Sequence, residues 1–101
     1  MKKLTINAFG SDQEIVLNKH EYGNNRIAIC AISTDDQELW GTLTVNIPEV
    51  ELADDEIIVK DYSENATWVP QVIEQLPELF EPTGRRAESG FVSCPIYRYK
   101  G

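Results

Sequence analysis

A single histidine, His20, and two cysteines, Cys30 and Cys94, are all that the 101-residue chain offers of the side chains that most often carry nucleophilic or metal chemistry. A hydrolytic triad needs a base within reach of a positioned nucleophile, and no G-x-S-x-G or Cys-centred signature accompanies His20. Zinc sites use about four ligands, commonly in closely spaced pairs, whereas His20, Cys30 and Cys94 each stand alone. The glycines fit neither G-x-G-x-x-G nor a Walker loop. The "DDE" at 54–56 lacks the D-x-[DN]-x-[DN]-G pattern of a calcium loop, and Thr83-Gly84-Arg85-Arg86 reads as a turn flanked by two solvated arginines. The sequence therefore predicts no catalytic residue, no metal site and no cofactor.

Long apolar runs are missing as well. No stretch of 18 or more apolar residues is present, which predicts no membrane span, and "MKKLTINAFGSDQE" lacks the apolar centre of a secretory signal. With no CxxC and no secretion signal, Cys30 and Cys94 are expected to be two reduced, buried thiols. Bases are scarce: nine Lys and Arg stand against 17 Asp and Glu, a formal charge of −8. Such a field repels nucleic-acid phosphates and anionic membranes and attracts basic protein surfaces. Direct nucleic-acid binding is thereby disfavoured, and the expected location is the cytosol.

What is present is the pattern of one α+β domain spanning residues 1–101. "KLTINAF", "QEIVLNKHEY", "RIAICAIST" and "ELWGTLTVNI" read as four strands of an antiparallel meander, with Gly23, Asn24 and Asn25 turning the chain between the second and third. In the fourth, Leu39, Leu43, Val45 and Ile47 share one face. Pro48 closes that strand, "EIIVKDY" is a fifth, and "FVSCPIYRYK" a last, placed at a sheet edge by Pro95. Between them, Val69, Ile73, Leu76 and Phe80 recur at helical spacing. This predicts a helix at about 66–76, capped by Asn65 or Thr67 and packed on one face of a sheet of about five to six strands. "EPTGRRAESG" reads as a loop.

The charge is concentrated. Residues 35–64 hold ten acids against a single base, Lys60, while the chain after residue 82 is net basic. Within "IPEVELADDEIIVKDYSEN", the acids Glu49, Glu51, Asp54, Asp55, Glu56, Asp61 and Glu64 are the candidate partner-binding residues. An extended "EVE" would set Glu49 and Glu51 about 6.6–7 Å apart on one face, comparable to phosphates along an extended strand.

The ordered set "EYGNNRIAI", "GTLTVNIPE", "DEIIVKDYSEN", "PTGR" and "SGFVSCP" resembles a family of small uncharacterised acidic proteins carried by bacteriophages, plasmids and conjugative elements. The likeness runs from about Tyr22 to Pro95 and departs at Ala66-Thr67, where an acidic residue and a glycine would open the helix. It implies a mobile-element origin and brings no catalytic residue. The expected function is non-catalytic protein binding: an acidic surface inhibiting a basic, nucleic-acid-handling host defence protein of the anti-CRISPR or anti-restriction type. The partner is then a host or phage protein with a basic surface. The alternative is a structural or assembly accessory that forms a homodimer through the edge strand at 91–100, its acidic face serving only solubility.

Overall fold

A computed structural model describes residues 3–101. Four strands form the expected meander: β1 (Lys3–Ala8), β2 (Ser11–Glu21), β3 (Ile27–Ser33) and β4 (Leu39–Thr42), antiparallel in that order. A second sheet has the order β5-β7-β6, from β5 (Glu56–Ile58), β6 (Phe80–Ser89) and β7 (Val92–Tyr99). The two sheets meet where residues 43–45 leave β3 and pair with residues 58–60. Leu43 N–H still donates to Ile29 O at 2.8 Å, Val45 N–H donates to Ile58 O at 3.0 Å, and Lys60 N–H donates to Leu43 O at 2.7 Å.

Alternation explains why two cores form. Leu4, Ile6 and Ala8 of β1 point inward, as a half-buried strand requires. They join Ile15, Ile29, Leu43, Ile57, Val59, Val69 and Val72, together with Trp68 and Leu76 at the two ends of the helix, in the larger core. Ile58 points the other way and packs with Ile47, Ala87, Cys94 and Ile96 in a smaller one. Each fully buried aliphatic side chain contributes roughly 1.5–3 kcal/mol of burial. Both thiols are free and buried, and burial pushes both up from the ordinary cysteine range.

The helical region starts differently from the expectation. A 3-10 turn at Ser63–Thr67 leads into α1 (Val69–Gln75), and neither Asn65 nor Thr67 caps it. The 3-10 turn already occupies the first donors, with Trp68 N–H on Asn65 O at 3.2 Å, and Pro70 in the first turn has none to satisfy. One face of α1 buries Val69 and Val72. At its border Gln71 accepts from Asn7 N–H at 2.9 Å and donates to Asn7 O at 2.7 Å, while Gln75 donates to Thr5 O at 2.9 Å. These amides occupy outward main-chain groups of edge strand β1.

Three further expectations are corrected. Residues 80–89 are a strand, not a loop: Pro82 and Gly84 sit at an irregularity between Pro82 and Arg86, and only Phe80 and Ala87 are buried. The segment at 91–100 is accordingly not an edge. β7 lies between β5 and β6, and Pro95 is tolerated there because its nitrogen faces the β5 side just past Ile58, where β5 ends; Val59 N–H donates to Pro95 O at 3.0 Å and no bond is needed in return. This removes the strand edge on which the dimerisation alternative depends. Finally, Leu39 does not share the inward face of Leu43. β4 carries a bulge, with Ile32 opposite Leu39 and Ala31 opposite Gly41, so Trp40 is the extra residue and Leu39 turns out to 63% exposure.

Next to the bulge, Gly41 lies directly under Trp68. A Cβ there would come within 2.8 Å of Trp68 Cζ2 in a ring that is 2% exposed. Gly41→Ala is expected to cost about 1–2 kcal/mol through overpacking, read as a lower urea midpoint with unchanged slope. An unaltered midpoint would mean that Trp68 moves aside freely.

Candidate functional site

The acidic crossing that joins the end of β4 to β5, residues 48–55, is not extended. Val50 N–H donates to Ile47 O at 3.1 Å, closing a turn with Pro48 second in it, where a fixed φ suits. A second turn follows, with Glu56 N–H on Ala53 O at 3.0 Å. The extended-strand spacing expected for Glu49 and Glu51 therefore does not apply, although their alternation with Val50 and Leu52 does. Val50 and Leu52 pack on the smaller core, while Glu49 and Glu51 are exposed.

Two arginines hold the crossing by its main chain. Arg26, from the β2–β3 hairpin, donates through Nη1 to Ile47 O at 2.8 Å and through Nη2 to Pro48 O and Val50 O. Arg85 of β6 donates through Nη2 to Glu51 O at 2.7 Å and through Nη1 to Glu56 Oε1 at 2.9 Å. The same Glu56 oxygen accepts Ala53 N–H at 2.8 Å. A planar guanidinium with several donors suits this bridging of carbonyls in a way that a lysine ammonium does not. Both arginines border an open polar cleft with Glu51, Leu52, Ala53 and Glu56.

The seven candidate acids consequently fall into two groups. Glu56 is buried, Asp55 pairs with Arg98 Nε at 2.9 Å, and Glu64 pairs with Lys60 Nζ at 2.9 Å. The Ala53 N–H bond is the main reason that the Glu56 carboxyl sits below the usual range; Arg85 and Arg98 add to it, against the cost of burial. Lys60 holds Glu64 down at about 2. A cross-strand ladder extends the set, because Arg98 lies opposite both Glu56 and Glu81. It reaches Glu81 at 3.2 Å, and Lys100 meets the other Glu81 oxygen at 2.8 Å. Glu49, Glu51 and Asp54 are exposed and, like half-buried Asp61, have no ion pair among the described residues. The basic C-terminal residues thus neutralise part of what the linear sequence displays as one acidic block. Arg26, Arg85 and Arg98, which order the crossing, carry no sequence signal beyond their charge.

Among the described residues, no group of three or more His, Cys, Asp or Glu side chains converges to hold a metal. His20 lines an open groove beside Lys19, Glu21 and Asp54, and its imidazole makes no hydrogen bond among the described residues. Among the described residues, no helix is long and apolar enough to cross a membrane.

Residues 15–101 match the family described as "Domain of unknown function (DUF4313)". The chain belongs to the DUF4313 family. No curated protein and no solved structure matches it. The matched span of this DUF4313 domain begins within β2, so it takes in the Arg26 hairpin, the acidic crossing, Arg85 and Arg98 but not β1.

Proposed function

We propose that this DUF4313 domain is a non-catalytic protein-binding module that offers the ordered crossing at 48–55 to a basic surface on a partner protein. The observation that carries the reading is the way the crossing is held. Arg26 and Arg85 grip its carbonyls and Val50 and Leu52 anchor its inner side, so that Glu49, Glu51 and Asp54 project from a fixed backbone without ion pairs of their own among the described residues. Fixed charges lose less conformational entropy on binding than charges on a mobile loop. The net charge of −8 adds a field that steers a basic partner inward.

Together with the resemblance to mobile-element proteins, this charge pattern favours a host defence protein whose basic nucleic-acid channel the domain would block, of the restriction or CRISPR kind. The expected setting is a bacterial cytoplasm.

The test is affinity capture from a bacterial lysate by the wild-type chain and by the triple variant Glu49→Gln, Glu51→Gln, Asp54→Asn. Exposed charges contribute a few tenths to about 1 kcal/mol each, so the triple change weakens capture about tenfold at low salt. High salt and added DNA release the wild-type complex. Capture indifferent to the substitutions, to salt and to DNA rejects the charge-based reading.

A further inference from the structure

Both tryptophans of the chain line one cleft of about 340 Å³, apart from the acidic crossing in its lining residues. Trp40 and Phe9 stand at its side, Gly41 and Trp68 face each other across its floor, and the Lys60–Glu64 ion pair sits at its mouth. None of its lining residues borders the polar cleft at the crossing. Cleft and crossing are separate sites that can be disabled independently.

Several features of the cleft run against what stability alone would select. Phe9 and Gly10 form a two-residue turn between the paired residues Ala8 and Ser11, and both have positive φ, +55° and +83°. Such a turn suits Asn, Asp or Gly in its first position, and a bulky aromatic there is strained. Phe9 gains little burial in return, since it is 70% exposed. Its ring leans on Trp40 at a centroid distance of 6.2 Å.

Trp40 itself is aimed by the β4 bulge, a device that commonly redirects side chains at functional sites. Its Nε1–H is the one buried side-chain polar atom among the described residues with no hydrogen-bond partner. Native structures rarely leave such a donor unused. Of three large apolar side chains exposed among the described residues, two, Phe9 and Leu39, flank Trp40.

We propose that this cleft is a docking pocket for an aromatic side chain of a protein partner. The partner's ring packs against Phe9 and Trp40 above the buried Trp68, a neighbouring main-chain carbonyl accepts from Trp40 Nε1–H as the indole tilts to admit the ring, and a flanking Lys or Arg meets Glu64. The cleft's volume lies at the small end of ligand sites and suits a single ring. Phe9, at 70% exposure, continues the apolar surface past the cleft, so the occupant is a chain that covers it rather than an isolated ring. The charge of −8 and a Glu64 side chain that is 62% exposed at the mouth favour basic flanks and oppose a nucleotide. Aromatic anchors seated in desolvated pockets dominate many protein interfaces. This docking surface does not depend on the acidic crossing and adds a second point of attachment.

The probe is a blocked Lys-Phe-Lys tripeptide, with blocked Lys-Ala-Lys and free phenylalanine as comparisons. The readouts are the two indole N–H resonances and tryptophan fluorescence, which phenylalanine does not obscure. Lys-Phe-Lys is expected to shift both indole resonances saturably, with Lys-Ala-Lys leaving them in place. Phe9→Asn, which suits the turn, is expected to keep or raise the melting temperature while weakening the tripeptide at least fivefold. Trp40→Phe, which keeps a ring but removes the N–H, weakens it a few-fold. Absence of a saturable shift overturns the proposal, and so does undiminished binding by both variants. Saturation by free phenylalanine with no response to the blocked tripeptide also overturns it, by reassigning the cleft to a small molecule. Capture through the crossing is read separately with the acidic triple variant, so either site can fail its test without bearing on the other.

Discussion

Replacing Asn65 with alanine is expected to lower the unfolding free energy by about 2–4 kcal/mol. Asn65 is 2% exposed and its Nδ2 donates twice, to Thr42 O at 2.7 Å and to Lys60 O at 2.9 Å. One amide therefore ties the 3-10 turn to the end of β4 and to the segment after β5. Truncation leaves both part-buried carbonyls unpaired, each at about 1–3 kcal/mol, moderated where water reaches them. Asn65→Asp separates hydrogen bonding from packing. It preserves the shape and replaces the donor by an oxygen facing two carbonyl oxygens, so at neutral pH it should be at least as damaging as the alanine. Urea titrations of both variants decide the matter, and a stable Asn65→Asp protein would refute this account.

Glu56→Ala is expected to cost about 2–3 kcal/mol. Its carboxylate serves Ala53 N–H and Arg85 and lies 3.9 Å from Arg98 Nη2. The figure is set below that of a fully buried pair because both arginines are substantially exposed and regain water when released. Glu56→Gln retains an acceptor for Ala53 and removes the charge, and should cost about half as much. The pH dependence follows from the depressed carboxyl. A group whose folded pKa lies below its unfolded value stabilises the protein above the ordinary carboxylate range, and that contribution is lost as pH falls through the folded value. Wild-type stability should thus decline on acidification below about pH 4.5, and Glu56→Gln should decline less steeply. Glu64 and Glu81, also held low by their cationic partners, account for the slope that remains. Equal slopes in the two proteins would show that Glu56 is not held below its unfolded value. Limited proteolysis of Glu56→Ala should also cut within 48–55, since the variant releases one of the two arginine grips.

The alternation of apolar residues makes β1 legible, the unbroken apolar run from Ile27 to Ile32 marks β3 as a central strand, and the 3.6-residue stripe locates α1 to within a few residues. The departures have physical causes. "EPTGRRAESG" carries Pro82, Gly84 and paired arginines, the composition of a loop, but the same residues suit a sheet edge that must not recruit another strand. Pro95 signals an edge because a missing N–H breaks a ladder, yet its nitrogen faces the β5 side just beyond Ile58, where that short strand has already ended. The acidic block misleads because Arg85 and Arg98 lie 29 and 42 positions from Glu56, and sequence spacing contains no trace of such pairings. Trp40 and Trp68 read as core or sheet aromatics; only the bulge and the Gly41 approach bring them to one cleft.

The glutamines on α1 have a consequence for how this domain can associate. Gln71 and Gln75 stand where the next strand beside β1 would lie, and at the far end of the joined sheets Pro82 and its irregularity interrupt β6. Neither terminal strand offers a continuous row of free amides and carbonyls. Strand addition at either margin is therefore disfavoured, and a partner of the proposed kind would be recognised through side chains. Detaching α1 would turn β1 from a sealed margin into a template for self-assembly, which makes the seating of one seven-residue helix a determinant of solubility.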